Sequence, residues 1–158
     1  MLAVSNTSPL NYLVQLGCVE ILEKIYARIA RPSIVIEELQ HAKTPEIVRQ
    51  WALSPPTWLE VIQTVSDASL AETGLHAGEI GAISLAESCK ADFVILDDRH
   101  ARSIATSRGL TDIGLLGVLK RAVTMGILDP RTITEQLLQT TFRISPDLAR
   151  EELLGEAR

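Results

Sequence analysis

The sequence has few aromatic residues and few lysines, and each scarcity argues against a class of function. Phe, Trp and Tyr occur twice each among 158 residues, so a platform of aromatic rings for stacking nucleic-acid bases is not expected. Only four of the basic residues are lysine, and the net charge is −5, which argues against binding nucleic acid through a broad positive field. A nucleic-acid enzyme is still compatible, because bound cations neutralise a metal site made of carboxylates.

Cysteine is scarce, and long apolar runs are missing. Cys18 and Cys89 lie in apolar, apparently helical surroundings without paired spacing, which predicts buried free thiols in a reducing compartment. The apolar runs are far shorter than the roughly 18 residues needed to cross a bilayer. No basic segment precedes the first apolar run, so we expect no signal peptide. These features predict a cytoplasmic protein without a membrane partner.

Alternating apolar segments predict an α/β fold. Four apolar residues from Phe93 to Leu96, with charge on both sides, indicate a strand buried on both faces. Shorter runs predict strands at residues 2–5, 27–30, 58–62 and 110–113. Helical patterns fill the intervals, at residues 10–16, 19–26, 33–42, 46–53, 79–90, 99–108, 114–126, from 130 onward and at 146–154. This alternation implies three α/β/α layers around a mostly parallel sheet of four to five strands.

No linker, repeat or low-complexity tract divides the chain. A length of 158 residues is typical of about one domain. We therefore expect a single domain over residues 1–158, in which about 127–158 form a C-terminal helical extension. Residues 63–73 are expected to form an internal loop with one helical turn.

Acidic and amide side chains follow the ends of several predicted strands. They are Asn6, Glu38, Glu79, Asp97 and Asp98. In an open α/β sheet the loops beyond the carboxyl ends of the strands meet at one edge, where ligands bind. Clustered carboxylates repel one another unless a cation lies among them, and oxygen ligands of this kind prefer Mg²⁺ or Mn²⁺. The spacing indicates a metal-dependent phosphoryl-transfer site.

Four segments carry these residues, at 5–10, 32–39, 78–83 and 96–99. In that order they resemble the four signature blocks of the PIN-domain family, and the likeness extends from residue 3 to about residue 125. It is greatest to a prokaryotic PIN-like branch similar to the toxin ribonucleases of type II toxin–antitoxin pairs. The resemblance implies an endoribonuclease dependent on Mg²⁺ or Mn²⁺, an RNA substrate, homodimerisation and an antitoxin protein as partner.

The resemblance assigns catalytic, metal-binding positions to Asn6, Glu38, Glu79 and Asp98, with Asp97 as a neighbour that supports the metal site. The first position is acidic in the family, whereas this chain has Asn6. An amide oxygen can coordinate a hard cation, but the site loses one negative charge and one potential general base. Two hypotheses therefore stay open: a ribonuclease, and a catalytically impaired PIN-like module that binds RNA or a partner protein.

Substrate-binding candidates flank these positions. Thr7 and Ser8 can bind phosphate or orient the Asn6 amide, or simply cap the first helix. Arg99 and Arg102 are one helical turn apart and can hold an RNA phosphate or pair with a carboxylate. The acidic candidates have ordinary alternatives too, because carboxylates commonly cap helices or lie near helix N-termini.

The same fold is compatible with other functions. A phosphatase or a nucleotide-binding protein is disfavoured, because neither a Gly-rich phosphate loop nor an Asp-x-Asp motif follows the first strand. A receiver-type signalling domain fits the fold alone, and acetyl phosphate would then phosphorylate Asp97 or Asp98. The apolar region 10–22 is a candidate surface for docking a partner helix.

Overall fold

The computed structural model describes residues 1–155, and a five-stranded sheet lies at its centre. The strands are β1 (Leu2–Ser5), β2 (Arg28–Arg31), β3 (Leu59–Val61), β4 (Phe93–Ile95) and β5 (Asp112–Ile113). Their order is β3-β2-β1-β4-β5, and all neighbouring strands are parallel. The predicted α/β fold with a mostly parallel sheet is confirmed.

Helices connect the strands and continue the chain after the last one. In the part of the chain that the structure describes they are α1 (Thr7–Gln15), α2 (Ile21–Ile25), α3 (Ile34–Leu39), α4 (Glu46–Leu53), α5 (Ala77–Ser88), α6 (Arg99–Ser107), α7 (Leu115–Thr124), α8 (Pro130–Leu138) and α9 (Pro146–Leu154). Gly17 and Gly109 come after α1 and α6 with φ of +68° and +80°, which only glycine adopts without strain. The main difference from prediction is α3, which ends at Leu39 and not near residue 42.

The alternating side chains of the strands divide the core into two layers. Ala3 and Ile95 pack into a large cluster with α1–α4 and α7–α9. Val4 and Val94, each adjacent in the chain to one of these two, pack into a second cluster with α5, α6 and the 3-10 turn Ala68–Leu70. Because successive side chains of a strand point to opposite faces, the two clusters cover opposite faces of the sheet. The fold therefore has three layers, with helices on both faces of the sheet.

Two segments expected at the surface are held against the rest of the fold. The apolar region 10–22 is not a docking surface, because Leu10, Leu13 and Leu22 are fully buried in the larger cluster. The segment 63–73 contains the expected helical turn, and Arg108 donates to Asp67 Oδ2 at 2.5 Å and to Glu87 Oε1 at 2.6 Å. That ion-pair network joins the segment to α5 and to the end of α6.

The C-terminal part of the described chain consists of α8 and α9. Both belong to the larger core cluster, through Ile133, Leu137 and Leu153, and α9 contacts α7 as well as α8. Residues 156–158 of the predicted extension lie outside the described residues. Within residues 1–155, no helix has the length and apolar character required to cross a membrane.

One buried tyrosine allows a test of the packing. Tyr26 is 1% exposed, its hydroxyl has no hydrogen-bond partner within residues 1–155, and burial raises its pKa. Tyr26→Phe keeps the ring that lies 5.5 Å from Phe93 and removes the unpaired hydroxyl. Since an unsatisfied buried polar group costs about 1–3 kcal/mol, we expect the free energy of unfolding in urea to rise by up to about 1 kcal/mol.

Tyr12→Phe is the matched control. The Tyr12 hydroxyl lies 3.2 Å from Thr141 Oγ1, so removing it should leave the free energy of unfolding unchanged or lower it slightly. A clear loss of stability in Tyr26→Phe would show that its hydroxyl is satisfied in solution.

Candidate functional site

A cavity of about 840 Å³ lies where the two adjacent central strands β1 and β4 end. The sequence-predicted residues that line it are Asn6, Thr7, Ser8, Glu38, Glu79, Asp97, Asp98 and Arg99. Arg102 lies instead in an adjoining cavity of about 760 Å³. The fold therefore brings residues from four separate chain segments to one edge of the sheet, as the topology predicted.

The position of the cavity results from how the chain leaves the two strands. After β1 it enters α1, on the face of the larger cluster, and after β4 it enters α6, on the opposite face. Between two neighbouring parallel strands whose helices diverge in this way, a crevice opens at the carboxyl edge. The pairing of Ser5 with Ile95 places Asn6 and Asp97 on either side of that crevice.

Three buried oxygen atoms of the cavity wall have no hydrogen bond of good geometry within residues 1–155. They are Oδ1 of Asn6, a residue 5% exposed, Oγ1 of Thr7 and Oε1 of Glu38. Gly78, in the first turn of α5, lies beside two of them: a Cβ at this position would overlap Glu38 Oε1 and lie 3.0 Å from Asn6 Oδ1. The absence of a side chain at Gly78 therefore lets the Glu38 carboxylate and the Asn6 amide oxygen lie close to the backbone of α5.

The electrostatics of Glu38 reflect this burial. Desolvation raises the pKa of Glu38, and the negative charge of Glu79 raises it further, whereas the nearby Thr7 hydroxyl, the electrostatic interaction with His76 and the Gly78 N–H lower it. A buried carboxylate with a raised pKa is an unfavourable anion unless a cation joins it. Glu37, its neighbour in the chain, is exposed and lies outside the cavity.

Asp97 has a structural role that the sequence did not reveal. Its Oδ1 accepts a hydrogen bond from Leu115 N at 2.8 Å, and its Oδ2 accepts one from the Ser8 hydroxyl at 3.0 Å. Burial raises the pKa of Asp97, while these two donors and Arg102 lower it. Asp97 thus joins the N-terminal turns of α1 and α7, and it uses both of its oxygens to do so.

Glu79 and Asp98 each engage one oxygen at a helix end. Asp98 caps α6, accepting from Ala101 N through Oδ2 at 2.9 Å. Glu79 Oε1 accepts from His76 N at 3.0 Å, in the first turn of α5. Asp98 and Glu79 therefore both have the helix N-terminal roles that the sequence allowed as alternatives to metal binding. They leave the second carboxylate oxygen of each without a hydrogen-bond partner among residues 1–155.

Arg99 and Arg102 differ in whether their guanidinium groups are paired with a carboxylate. Arg102 Nε donates to Asp112 Oδ2 at 2.7 Å, which is the common fate of an exposed arginine beside a carboxylate. Arg99 is exposed, lines both cavities and forms no ion pair within the described chain. Of the two, Arg99 has the guanidinium that is open to a ligand in this cavity.

Sequence reasoning missed several residues of the cavity wall. They are Asn11, Tyr12, Leu39, Thr44, His76, Thr141, Phe142 and Arg143. Tyr12 lies one helical turn after Ser8, so the spacing of α1 could have indicated it. No local pattern marks residues 141–143, because only long-range packing brings the α8–α9 loop to α1.

A comparison with known protein families supplies the identity of the fold. Residues 2–156 match the family DUF3368, described as a PIN domain. The chain belongs to the PIN-domain family. PIN domains have a nuclease-type fold and generally use divalent metals. No curated protein matches the chain.

The residues of this PIN domain fit a hard cation in part. Carboxylate and amide oxygens are suitable ligands for Mg²⁺ or Mn²⁺, and Asn6 Oδ1 and Glu38 Oε1 both lie beside Gly78 without a hydrogen bond of good geometry in residues 1–155. In residues 1–155, however, no three Asp, Glu, His or Cys side chains are grouped closely enough to hold a metal ion. The tight carboxylate cluster expected from the sequence is therefore not formed, although its members line one cavity.

Gly78→Ala tests whether the space beside Glu38 matters. The added Cβ would displace the Glu38 carboxylate, so we expect the affinity for Mn²⁺, measured by calorimetry, to fall about 10- to 100-fold. Gly81→Ala is the matched control in the same helix, since its Cβ would meet only Pro32 and Ile34. Equal Mn²⁺ affinity in both variants would contradict a cation site at Glu38.

Glu38→Gln tests whether the ionised carboxylate of Glu38 destabilises the fold when no cation is bound. Because the pKa of Glu38 is raised in the folded chain, the wild type loses stability as the pH rises from the unfolded pKa, about 4.3, through the folded one. In urea unfolding with a chelator present, the variant should gain stability relative to the wild type as the pH rises above the unfolded pKa of about 4.3. A difference that does not change with pH would contradict the raised pKa.

Proposed function

We propose that this PIN domain is an endoribonuclease that hydrolyses RNA with the help of Mg²⁺ or Mn²⁺. The observation that supports this most is the pair of buried, unpartnered oxygens, Asn6 Oδ1 and Glu38 Oε1, in the crevice between β1 and β4. Buried acceptors are normally satisfied, and a hard cation is the partner that suits two such oxygens.

Each residue has a role in this proposal. Glu38, Glu79 and Asp98, together with Asn6 Oδ1, would hold the cation, and Asp97 supports them by fixing α1 and α7. The cation would lower the pKa of water and offset the charge of the reacting phosphate. Asn6 orients the attacking water.

Substrate positioning falls to Thr7, Ser8, Arg99 and Arg102 in this proposal. Arg99 is the best placed of them for a phosphate, because Ser8 and Arg102 already bond to Asp97 and Asp112. Thr7 Oγ1 is buried near the Glu38 carboxylate and has no hydrogen bond of good geometry within residues 1–155, so a ligand that enters the cavity can bond to it. Ser8 and Arg102 would act through the remaining donor or acceptor capacity of their side chains.

The reaction is a displacement at phosphorus. The oxygen of water forms a bond to phosphorus, the bond from phosphorus to one ribose oxygen breaks, and a proton of the water ends on the leaving oxygen. The Asn6 amide accepts a hydrogen bond but cannot accept the proton. The carboxylates of the cavity wall must therefore relay it, which predicts a slow enzyme.

A second candidate function is a catalytically impaired module that binds RNA or a partner protein. Asn6 favours it, as does the use of Glu79, Asp97 and Asp98 in hydrogen bonds to helix ends. Both functions are compatible with cation binding, but only the nuclease then cuts RNA.

The proposals on the biological role, location and assembly of the protein rest on the family resemblance. We propose a toxin of a toxin–antitoxin pair, located in the cytoplasm, that forms a homodimer and binds an antitoxin protein. We further propose that residues 1–158 act as one domain, with about 127–158 as its C-terminal helical extension.

Cleavage of a mixed RNA pool with Mn²⁺ tests the nuclease proposal. We expect Asp98→Asn to lower the rate at least about 10- to 100-fold, because it removes a charge while asparagine still caps α6. Asn6→Asp should raise the rate about tenfold or more, since it restores a potential general base. A chelator should stop the reaction.

Equal rates in the wild type and both variants would mean that a contaminant cuts the RNA. A folded wild type that binds Mn²⁺ and leaves RNA intact would favour the impaired module. If the folded chain bound no Mn²⁺ at millimolar concentration, the nuclease proposal would be wrong.

A further inference from the structure

The two cavities at the sheet edge share a wall. Asp97, Arg99, Phe142 and Arg143 line both the cavity of about 840 Å³ and the adjoining one of about 760 Å³. Each volume lies in the range that accommodates one small ligand. Since they meet along a common wall, they form one groove that suits a ligand of several linked units.

Two aromatic rings meet at this wall. Tyr12 of α1 and Phe142 of the α8–α9 loop pack edge to face, with ring centroids 5.3 Å apart and an interplanar angle of 72°. Both rings are half-buried and line the larger cavity. Because both residues are only partly buried and line the cavity, part of each ring is accessible to a planar group that enters it. The scarcity of aromatics argued against a stacking platform, yet two of the six lie together at this point.

The charge at the wall suits a polyanion. An acidic cavity in a chain of net charge −5 repels RNA unless cations lie beside it. Arg143 comes directly after Phe142, is exposed, and has no ion pair or hydrogen bond from its side chain within residues 1–155. With Arg99 it places two unpaired guanidinium groups between the cavities.

We propose that Phe142, Tyr12 and Arg143 form a subsite for the nucleotide next to the scissile phosphate of a single-stranded RNA. Its base stacks on the ring pair, and Arg143 binds its phosphate. The strand is single because a base can stack on a protein ring only when it is unstacked from its own neighbours. This inference rests on the proposed function, which supplies the scissile phosphate in the larger cavity.

The test measures binding without cleavage. A short, labelled single-stranded RNA is titrated with the full chain in a chelator, and its affinity is read from fluorescence anisotropy. We expect Phe142→Leu to weaken binding about 5- to 100-fold. Arg143→Gln should weaken binding and reduce the slope of log affinity against log salt by about 0.7, the value for one lost phosphate contact on a single strand.

Matched controls make the same chemical changes outside both cavities. Phe93→Leu removes an aromatic ring that packs on Tyr26, and Arg150→Gln removes an exposed arginine of α9. Both should bind RNA like the wild type, and the melting temperature of each variant verifies its fold. A duplex of the same sequence should bind more weakly than the single strand.

The outcomes separate this inference from the nuclease proposal. A wild type whose RNA binding depends on Phe142 and Arg143, but which cuts nothing, would refute the nuclease and leave these residues as a site that binds single-stranded RNA without cutting it. Cleavage by a wild type whose affinity is unchanged in both variants would refute the subsite alone. No RNA binding, equal losses in the controls, or equal affinity for duplex and single strand would each overturn the subsite.

Discussion

The parallel pairing of β1 with β4 is the constraint on which the site depends. The Asn6 N–H donates to Ile95 O at 3.1 Å, and Ser8 donates to Asp97 across 89 positions of the sequence. These bonds hold the end of β1 against the end of β4, while α1 and α6 leave on opposite faces of the sheet. Because Asp97 also accepts from Leu115 N, one carboxylate fixes three loops at the cavity. A change in this pairing would disperse every proposed ligand.

Burial of acidic groups, only partly offset by nearby cationic side chains, sets the electrostatics of the site. Desolvation raises the pKa of both Glu38 and Asp97, so a further anion at position 6 would add repulsion in the same cavity. Asn6 presents an oxygen without a charge, which lowers that repulsion and lets the cavity persist without a cation. For the same reason, an uncharged oxygen at position 6 attracts a cation less strongly than a carboxylate there would.

The sequence was most informative where local patterns decide the structure. Apolar runs indicated each strand, and turn residues such as Gly17 and Gly109 marked helix ends, since φ preferences act locally. The acidic residues were predicted to share one edge because parallel strands end together. The hydrogen bonds of Asp97, the positions of His76 and Phe142 around the cavity, and the burial of residues 10–22 depend on packing between distant segments. No local pattern encodes them.

The C-terminal helices complete the site as well as the core. The family match runs to residue 156, and Ile133, Leu137 and Leu153 belong to the same cluster as the side chains of α1. The loop between α8 and α9 meets α1 through the contacts of Tyr12 with Thr141 and Phe142. Deleting these helices would expose core side chains and remove Arg143 at the same time, so truncation cannot separate their effects. Single substitutions on the α8–α9 loop can separate an effect on the cavity from an effect on the core. That loop lines the cavity, whereas the helices on either side of it maintain the fold.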